Sequence, residues 1–279
     1  MKQARYPAIL VLVLAFCFAC VPGQFVEDVF GAEDINSPDE GAHIRVPRRD
    51  ESDVQVWSYE GKTGPEYWAS LIPAAYLCRS GMPSIISLPG YMGELQFNYS
   101  SNSRGELWNN GHSIQYRVDN STGHSTMWGG PMKLEKYFLL QVHQHAPSEH
   151  TIDGKRYPME MHFVHLSNDT TPHLAALSVL IEEGAASPYL DQYFHLFDYT
   201  VSKYGERHKL NAIDLQLAFP ANTSYWTYKG SRTSPDCEEG FTWLVFNHPM
   251  TASRQQIEHF TNIYNKTNRC LPIPCIVVQ

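Results

Sequence analysis

His143 and His145 stand one residue apart in the run Phe138-Leu139-Leu140-Gln141-Val142-His143-Gln144-His145, whose apolar content reads as a strand. A strand's period of two then projects both imidazoles from one face. His162 lies in a second such run, Glu160-Met161-His162-Phe163-Val164-His165, beyond a loop containing Gly154. Pairing of the two strands brings a third imidazole to the first two. Three neutral nitrogens with a fourth position open make a catalytic zinc site rather than a closed structural one, and no cysteine is near enough in sequence to close it. Six of the thirteen histidines fall between positions 143 and 173, so the density itself points here. The same alternation sets Gln141 on the His143 face and Glu160 on the His162 face, where an amide and a carboxylate accept the ring N–H groups and fix the ligating tautomers. Those partners favour a metal site over scattered surface histidines.

The elements that must position these residues are mostly strands. β-rich segments recur between turn signals at Leu95 to Tyr99, Ser113 to Val118, Lys136 to His145, Glu160 to His165, Leu174 to Ile181 and Thr242 to Asn247. Helices are expected only around Tyr189 to Tyr204 and Ser253 to Tyr264, the second behind a serine cap. The implied fold is mostly β: one domain around a large, predominantly antiparallel twisted sheet with peripheral helices. At 279 residues and 43% hydrophobic the chain can bury a real core, and its 13% aromatic content with 18 Gly and 18 Pro excludes a coiled coil.

The formal charge of −8 leaves no basic footprint, which argues against nucleic-acid binding. Most of that charge sits between Gln24 and Val56, where nine acids face three arginines and few large apolar residues; residues 24–56 read as a flexible acidic leader. Ahead of it, Lys2 and Arg5 precede an apolar run from Ala8 to Ala19 and the small residues up to Gly23, the layout of a secretory signal peptide over residues 1–23. No later stretch is apolar enough for a membrane span in the mature chain. The domain then runs over 57–279, and the expected location is extracellular. Cys17 and Cys20 leave with the signal, and Cys20 fits a lipidation site poorly. Cys78, Cys237, Cys270 and Cys275 remain, enough for two disulfides in three connectivities. Sequons at Asn98, Asn120, Asn168, Asn222 and Asn265 fit a secreted glycoprotein.

The run His143-Gln144-His145-Ala146-Pro147-Ser148-Glu149-His150-Thr151-Ile152-Asp153-Gly154, with Met159-Glu160-Met161-His162-Phe163-Val164-His165, resembles the signature of the α-class carbonic anhydrases. Trp57-Ser58-Tyr59, Asn109-Asn110-Gly111-His112, Gly129-Gly130-Pro131, and Trp226-Thr227-Tyr228 leading to Gly230-Ser231-Arg232-Thr233-Ser234-Pro235 agree in order, so the likeness covers essentially Trp57 to Arg269. The short Ala146-Pro147-Ser148 link is similar to the compact variants of bacteria and plants.

This resemblance implies one Zn2+ per chain on His143, His145 and His162, and hydration of carbon dioxide to bicarbonate and a proton by a zinc-activated water. It makes Thr233 the hydroxyl that orients the attacking oxygen while donating to Glu149. His112 matches the proton-shuttle position, where a pKa near 6.5 suits the relay, and Tyr59, Asn110 and Gln115 match polar positions that order the connecting waters. Val164 and Trp243 match the apolar substrate wall, while another wall position holds the smaller Ala176 and its neighbour the larger Phe241, a compensating swap, with Ser234 beside them. Cys78 and Cys237 match a disulfide of secreted members; for Cys270 and Cys275 a local bridge is the simplest option. Three departures stand out. Arg232 replaces a leucine, Pro235-Asp236 replaces a Pro-Pro, and Met82-Pro83-Ser84-Ile85 replaces Gln-Ser-Pro-Ile. The Arg232 guanidinium either charges the pocket mouth or folds outward to Asp236 or Glu238. The rival function is a catalytically weak matrix or recognition module on the same fold, for example in biomineralisation; an esterase using the same activated water is a third reading. Protein partners are not legible.

Overall fold

The histidine-bearing run folds as strand β6 (Tyr137–His145) and its partner run as β9 (Met159–Ser167), paired antiparallel with His143 directly opposite His162. These are the two central strands of a computed structural model that describes residues 57–72, 75, 78, 85–86, 93–269 and 276–278. The readings on residues 1–23 and 24–56, on Cys270 and Cys275, and on Met82-Pro83-Ser84 lie outside the described residues.

Among the described residues the main sheet has eleven strands. Its path runs from β11 (Arg207–Ile213) through β3 (Ser103–Asn109), β4 (Ile114–Val118), β6, β9 and β10 (Leu174–Glu183) to β13 (Glu239–Phe246) and β12 (Tyr225–Ser231). Beside this path, β2 (Leu95–Asn98) pairs with β5 (Thr126–Gly129), β5 also pairs with β6, and β14 (Met250–Ala252) pairs with β10. A second sheet joins β1 (Ile85–Ile86), β15 (Ile276–Val278), β7 (His150–Ile152) and β8 (Lys155–Arg156). Antiparallel pairs predominate as expected, but β10 runs parallel to β13 and β14, so the sheet is mixed.

Alternation along β9 explains why this sheet carries a site. Met159, Met161 and Phe163 enter the main hydrophobic core, while Glu160, His162 and Val164 face the other way. On β10, Ala175, Leu177, Val179 and Ile181 join that core, which leaves Ala176 and Ser178 on the site face. Each large apolar side chain so buried is worth about 1.5–3 kcal/mol relative to exposure. A register slip of one residue would drive the imidazoles into the core, so packing fixes the site's register.

Short helices cover the periphery: α1 (Trp68–Leu71), α2 (Pro188–Asp191) and α3 (Arg254–Thr261). α3 begins as expected, with Ser253 and Gln256 forming a reciprocal capping box. The helix expected around Tyr189 to Tyr204 is instead the single turn α2 followed by a 3-10 turn at Phe194–Leu196. Tyr189, Tyr193, Phe194 and Phe197 are all fully buried, and the backbone breaks at Tyr193 (φ −151°, ψ −11°) to seat them. Gln192 holds that break by bonding both backbone groups of Asp214. Core packing overrides helix propensity here. Among the described residues no helix is long and apolar enough to cross a membrane.

Candidate metal centre

His143, His145 and His162 converge so that one ligating nitrogen from each lies within 4.8 Å of the others. Their outer hydrogen bonds decide which nitrogen that is. His143 Nδ1 donates to Gln141 Oε1 at 2.9 Å, and His145 Nδ1 donates to the Thr267 carbonyl at 2.5 Å. Each therefore turns an unprotonated Nε2 inward, and those two atoms sit 3.0 Å apart. His162 is reversed, with Nε2 donating to Glu160 Oε1 at 2.6 Å and Nδ1 left as the inward lone pair. Burial holds all three imidazoles below their ordinary pKa, hence neutral and able to ligate. Lone pairs facing each other at 3.0 Å repel unless a cation lies between them, so this donor set fits a metal ion.

Glu160 organises the shell behind the triad. Its Oε1 accepts from His162, from His150 Nδ1 at 2.5 Å and from Ser178 Oγ at 2.6 Å, while Oε2 accepts the backbone N–H groups of Glu149 and His150, both at 2.8 Å. Burial works to raise its pKa, but the two histidines and their hydrogen bonds outweigh it and hold the carboxyl well below 4.5. His150 Nε2 continues the network to the Tyr228 hydroxyl at 2.8 Å. The alternation identifies Gln141 and Glu160; it does not reveal His150, Ser178, Tyr228 or Thr267. Ser178 faces His162 in register on β10, a signal available once that pairing is known. Thr267 carries no local signal, because its contact spans 122 residues.

Thr233 and Glu149 meet as the resemblance implies. Burial raises the Glu149 pKa to about 7, against a side-chain hydrogen bond from Thr233 and a backbone bond from Arg269 N at 2.9 Å. Val164, Ala176 and Trp243 line up in register across β9, β10 and β13. With Phe241 they form a buried wall, and the Trp243 ring lies 4.8 Å from His162 edge to face. Glycine at 230 is required there, since a Cβ would come within 2.7 Å of the Tyr228 ring. The β12 register shifts just after it, between Gly230 and Ser231, and re-aims the chain into Arg232 and Thr233. Ser234 is half-buried, and its carbonyl closes the following turn with Cys237 N at 2.8 Å.

The polar positions behave less uniformly. Gln115 is buried opposite His143. The buried Tyr59 ring stands 6.2 Å from that of His145. Asn110 Oδ1 accepts the backbone N–H groups of His112 and Ser113, so it shapes the turn that carries His112. His112 itself stacks on Trp57, ring centroids 3.5 Å apart and nearly parallel. Burial pushes its pKa down to about 4, which corrects the ordinary value of 6.5 expected for it.

Arg232 is buried with its Nη1 3.7 Å from Asp236 Oδ1, so it turns toward that acid yet stays inside. Cys78 and Cys237 form the implied disulfide. Asn98, Asn168, Asn222 and Asn265 are exposed, whereas Asn120 Nδ2 is bonded to the Leu139 carbonyl at 3.1 Å.

A family model of eukaryotic-type carbonic anhydrases matches residues 86–273. The chain belongs to the carbonic anhydrase family. It is 35% identical over 222 residues to the carbonic anhydrase of Pectobacterium atrosepticum, covering 78% of this chain and 86% of that one. To carbonic anhydrase 7 of Homo sapiens it is 30% identical over 227 residues, 74% of this chain and 85% of that one. Among solved structures, the α-carbonic anhydrase of Thermovibrio ammonificans in complex with the inhibitor sulfanilamide matches at TM-score 0.67 and 32% identity, covering 76% of this chain and 93% of that one. The family and fold expected from the motifs are thus borne out, and the enzyme reading with them.

Proposed function

We propose that this carbonic anhydrase is a secreted zinc enzyme that interconverts carbon dioxide with bicarbonate and a proton, with one Zn2+ on His143 Nε2, His145 Nε2 and His162 Nδ1. The observation that carries the reading is the trio of unprotonated ring nitrogens, two of them 3.0 Å apart. Three neutral donors and an open fourth position are the donor set of a catalytic zinc. Zinc bound by such a set lowers the pKa of a water to ~7 and so supplies a nucleophile at neutral pH.

The chain's own residues do the rest. Thr233 donates its proton to Glu149, which leaves its oxygen lone pairs to accept a hydrogen bond from the attacking oxygen and aim it at the substrate carbon. With a zinc ion held by the three neutral histidines, the Glu149 pKa is drawn below the value set by burial and the carboxylate stays an acceptor. Val164, Ala176, Phe241 and Trp243 offer carbon dioxide an apolar surface. His112 exports the proton, and it does so only after leaving Trp57, because a ring of pKa about 4 is a poor acceptor at neutral pH. The Cys78–Cys237 disulfide supports an oxidising compartment, as do the apolar N-terminal run and the sequons.

Elemental analysis with stopped-flow carbon dioxide hydration, with and without benzenesulfonamide, tests the proposal. One zinc per chain and inhibitable hydration are expected. Zinc without hydration would favour the recognition module, and ester hydrolysis without hydration would favour the esterase.

A further inference from the structure

Arg232, Asp236 and Glu238 place three ionic side chains on one short loop beside the site. The Arg232 N–H donates to the Glu238 carbonyl at 2.9 Å, Cys237 N donates to the Ser234 carbonyl at 2.8 Å, and the Cys78–Cys237 disulfide ties the loop down. Arg232 is 8% exposed, so its charge is held in place rather than solvated. The chain that carries it lies against the site: Gly230 stands opposite Phe241, and Trp243 Nε1 donates to the Ser231 carbonyl at 3.0 Å, immediately before Arg232 and Thr233. Asp236, 3.7 Å from the guanidinium, offsets part of its charge. The wall of Val164, Ala176, Phe241 and Trp243 offers an anion nothing, so a fixed cation at its edge changes what the site prefers.

We propose that Arg232 determines ligand specificity, biasing the site toward small anions such as bicarbonate and away from neutral apolar ligands, with Asp236 tempering the bias. A guanidinium matches the two oxygens of a bicarbonate or carboxylate side by side, and it is less strongly hydrated than an ammonium. Asp236 and Glu238 are the acids that compete with an incoming anion for it. The inference rests on the reading of the three histidines as a carbonic anhydrase zinc site.

Titration calorimetry on the zinc-loaded protein tests it, with thiocyanate as the anion and benzenesulfonamide as the aromatic probe. Arg232→Leu is expected to weaken thiocyanate about tenfold and tighten benzenesulfonamide several-fold, from the loss of one charge near the site. Asp236→Asn is expected to tighten thiocyanate about threefold, and Arg232→Lys to fall between parent and Arg232→Leu. Thiocyanate affinities within twofold of the parent in Arg232→Leu and Asp236→Asn, with benzenesulfonamide still binding, overturn this inference alone. Should Arg232→Leu fail to fold, an unchanged Asp236→Asn overturns it by itself. A parent that takes up neither zinc nor benzenesulfonamide overturns the underlying reading as well.

Discussion

The Nε2 atoms of His143 and His145 lie 3.0 Å apart, and neither carries a proton. Gln141 and the Thr267 carbonyl hold the two N–H groups outward, so the rings cannot relieve the contact by exchanging tautomers without setting a ring lone pair against a buried oxygen left with no donor. The site is built for a cation.

Removing His162 leaves two donors, too few for a tetrahedral site. His162→Ala should retain less than a tenth of an equivalent of zinc by elemental analysis and lose essentially all hydration activity. Stoichiometric zinc in that variant would place the metal elsewhere.

Glu160 is the acceptor for five donors, two of them imidazoles. Glu160→Gln keeps the shape but brings an NH2 against groups that already donate, and it lets the His162 ring turn. Zinc affinity, read by competition with a chelator, should fall 10–100-fold. An affinity within twofold of the parent would mean that the His162 orientation is set by packing alone.

The strands that carry the triad were legible because their two faces differ so sharply in chemistry: Met159, Met161 and Phe163 against Glu160, His162 and Val164. Short-range alternation therefore identifies ligands and the partners two residues from them. It is blind to groups brought in from elsewhere. Thr267 reaches His145 through its backbone carbonyl, which has no side-chain identity to read, and His150 enters the Glu160 network from a strand of the second sheet. The Tyr189 to Tyr204 segment misled for a related reason. A helix is expected there, but the rings of Tyr189, Tyr193, Phe194 and Phe197 are seated by core contacts that the local sequence does not encode.

His112 stacks face to face on Trp57, and burial brings its pKa to about 4. Trp57→Ala uncovers the ring, so its pKa, followed by NMR of the imidazole, should rise toward 6.5. Turnover in weak buffer should then depend less on added imidazole than it does in the parent. No movement of the His112 titration in Trp57→Ala would show that the indole is not what holds the ring neutral.

Acid stability should report on His165, whose fully buried ring bonds the Tyr99 hydroxyl. Burial pushes its pKa from 6.5 down to about 3. Between those values the unfolded chain binds a proton at this position and the native protein does not, so stability rises with pH across that window. The contribution of the neutral ring is complete above pH 6.5 and drains away as pH falls toward 3, at up to about 1.4 kcal/mol per pH unit. His165→Gln preserves a hydrogen-bonding group for Tyr99 but does not titrate, while the carboxylates that also govern acid unfolding are common to both proteins. Urea unfolding at steps from pH 7.5 to 4 should therefore show the parent losing stability faster than His165→Gln, by close to one proton below pH 6. Parallel curves for the two proteins would mean that His165 takes up its proton in the folded state and that the buried pair with Tyr99 does not resist acid.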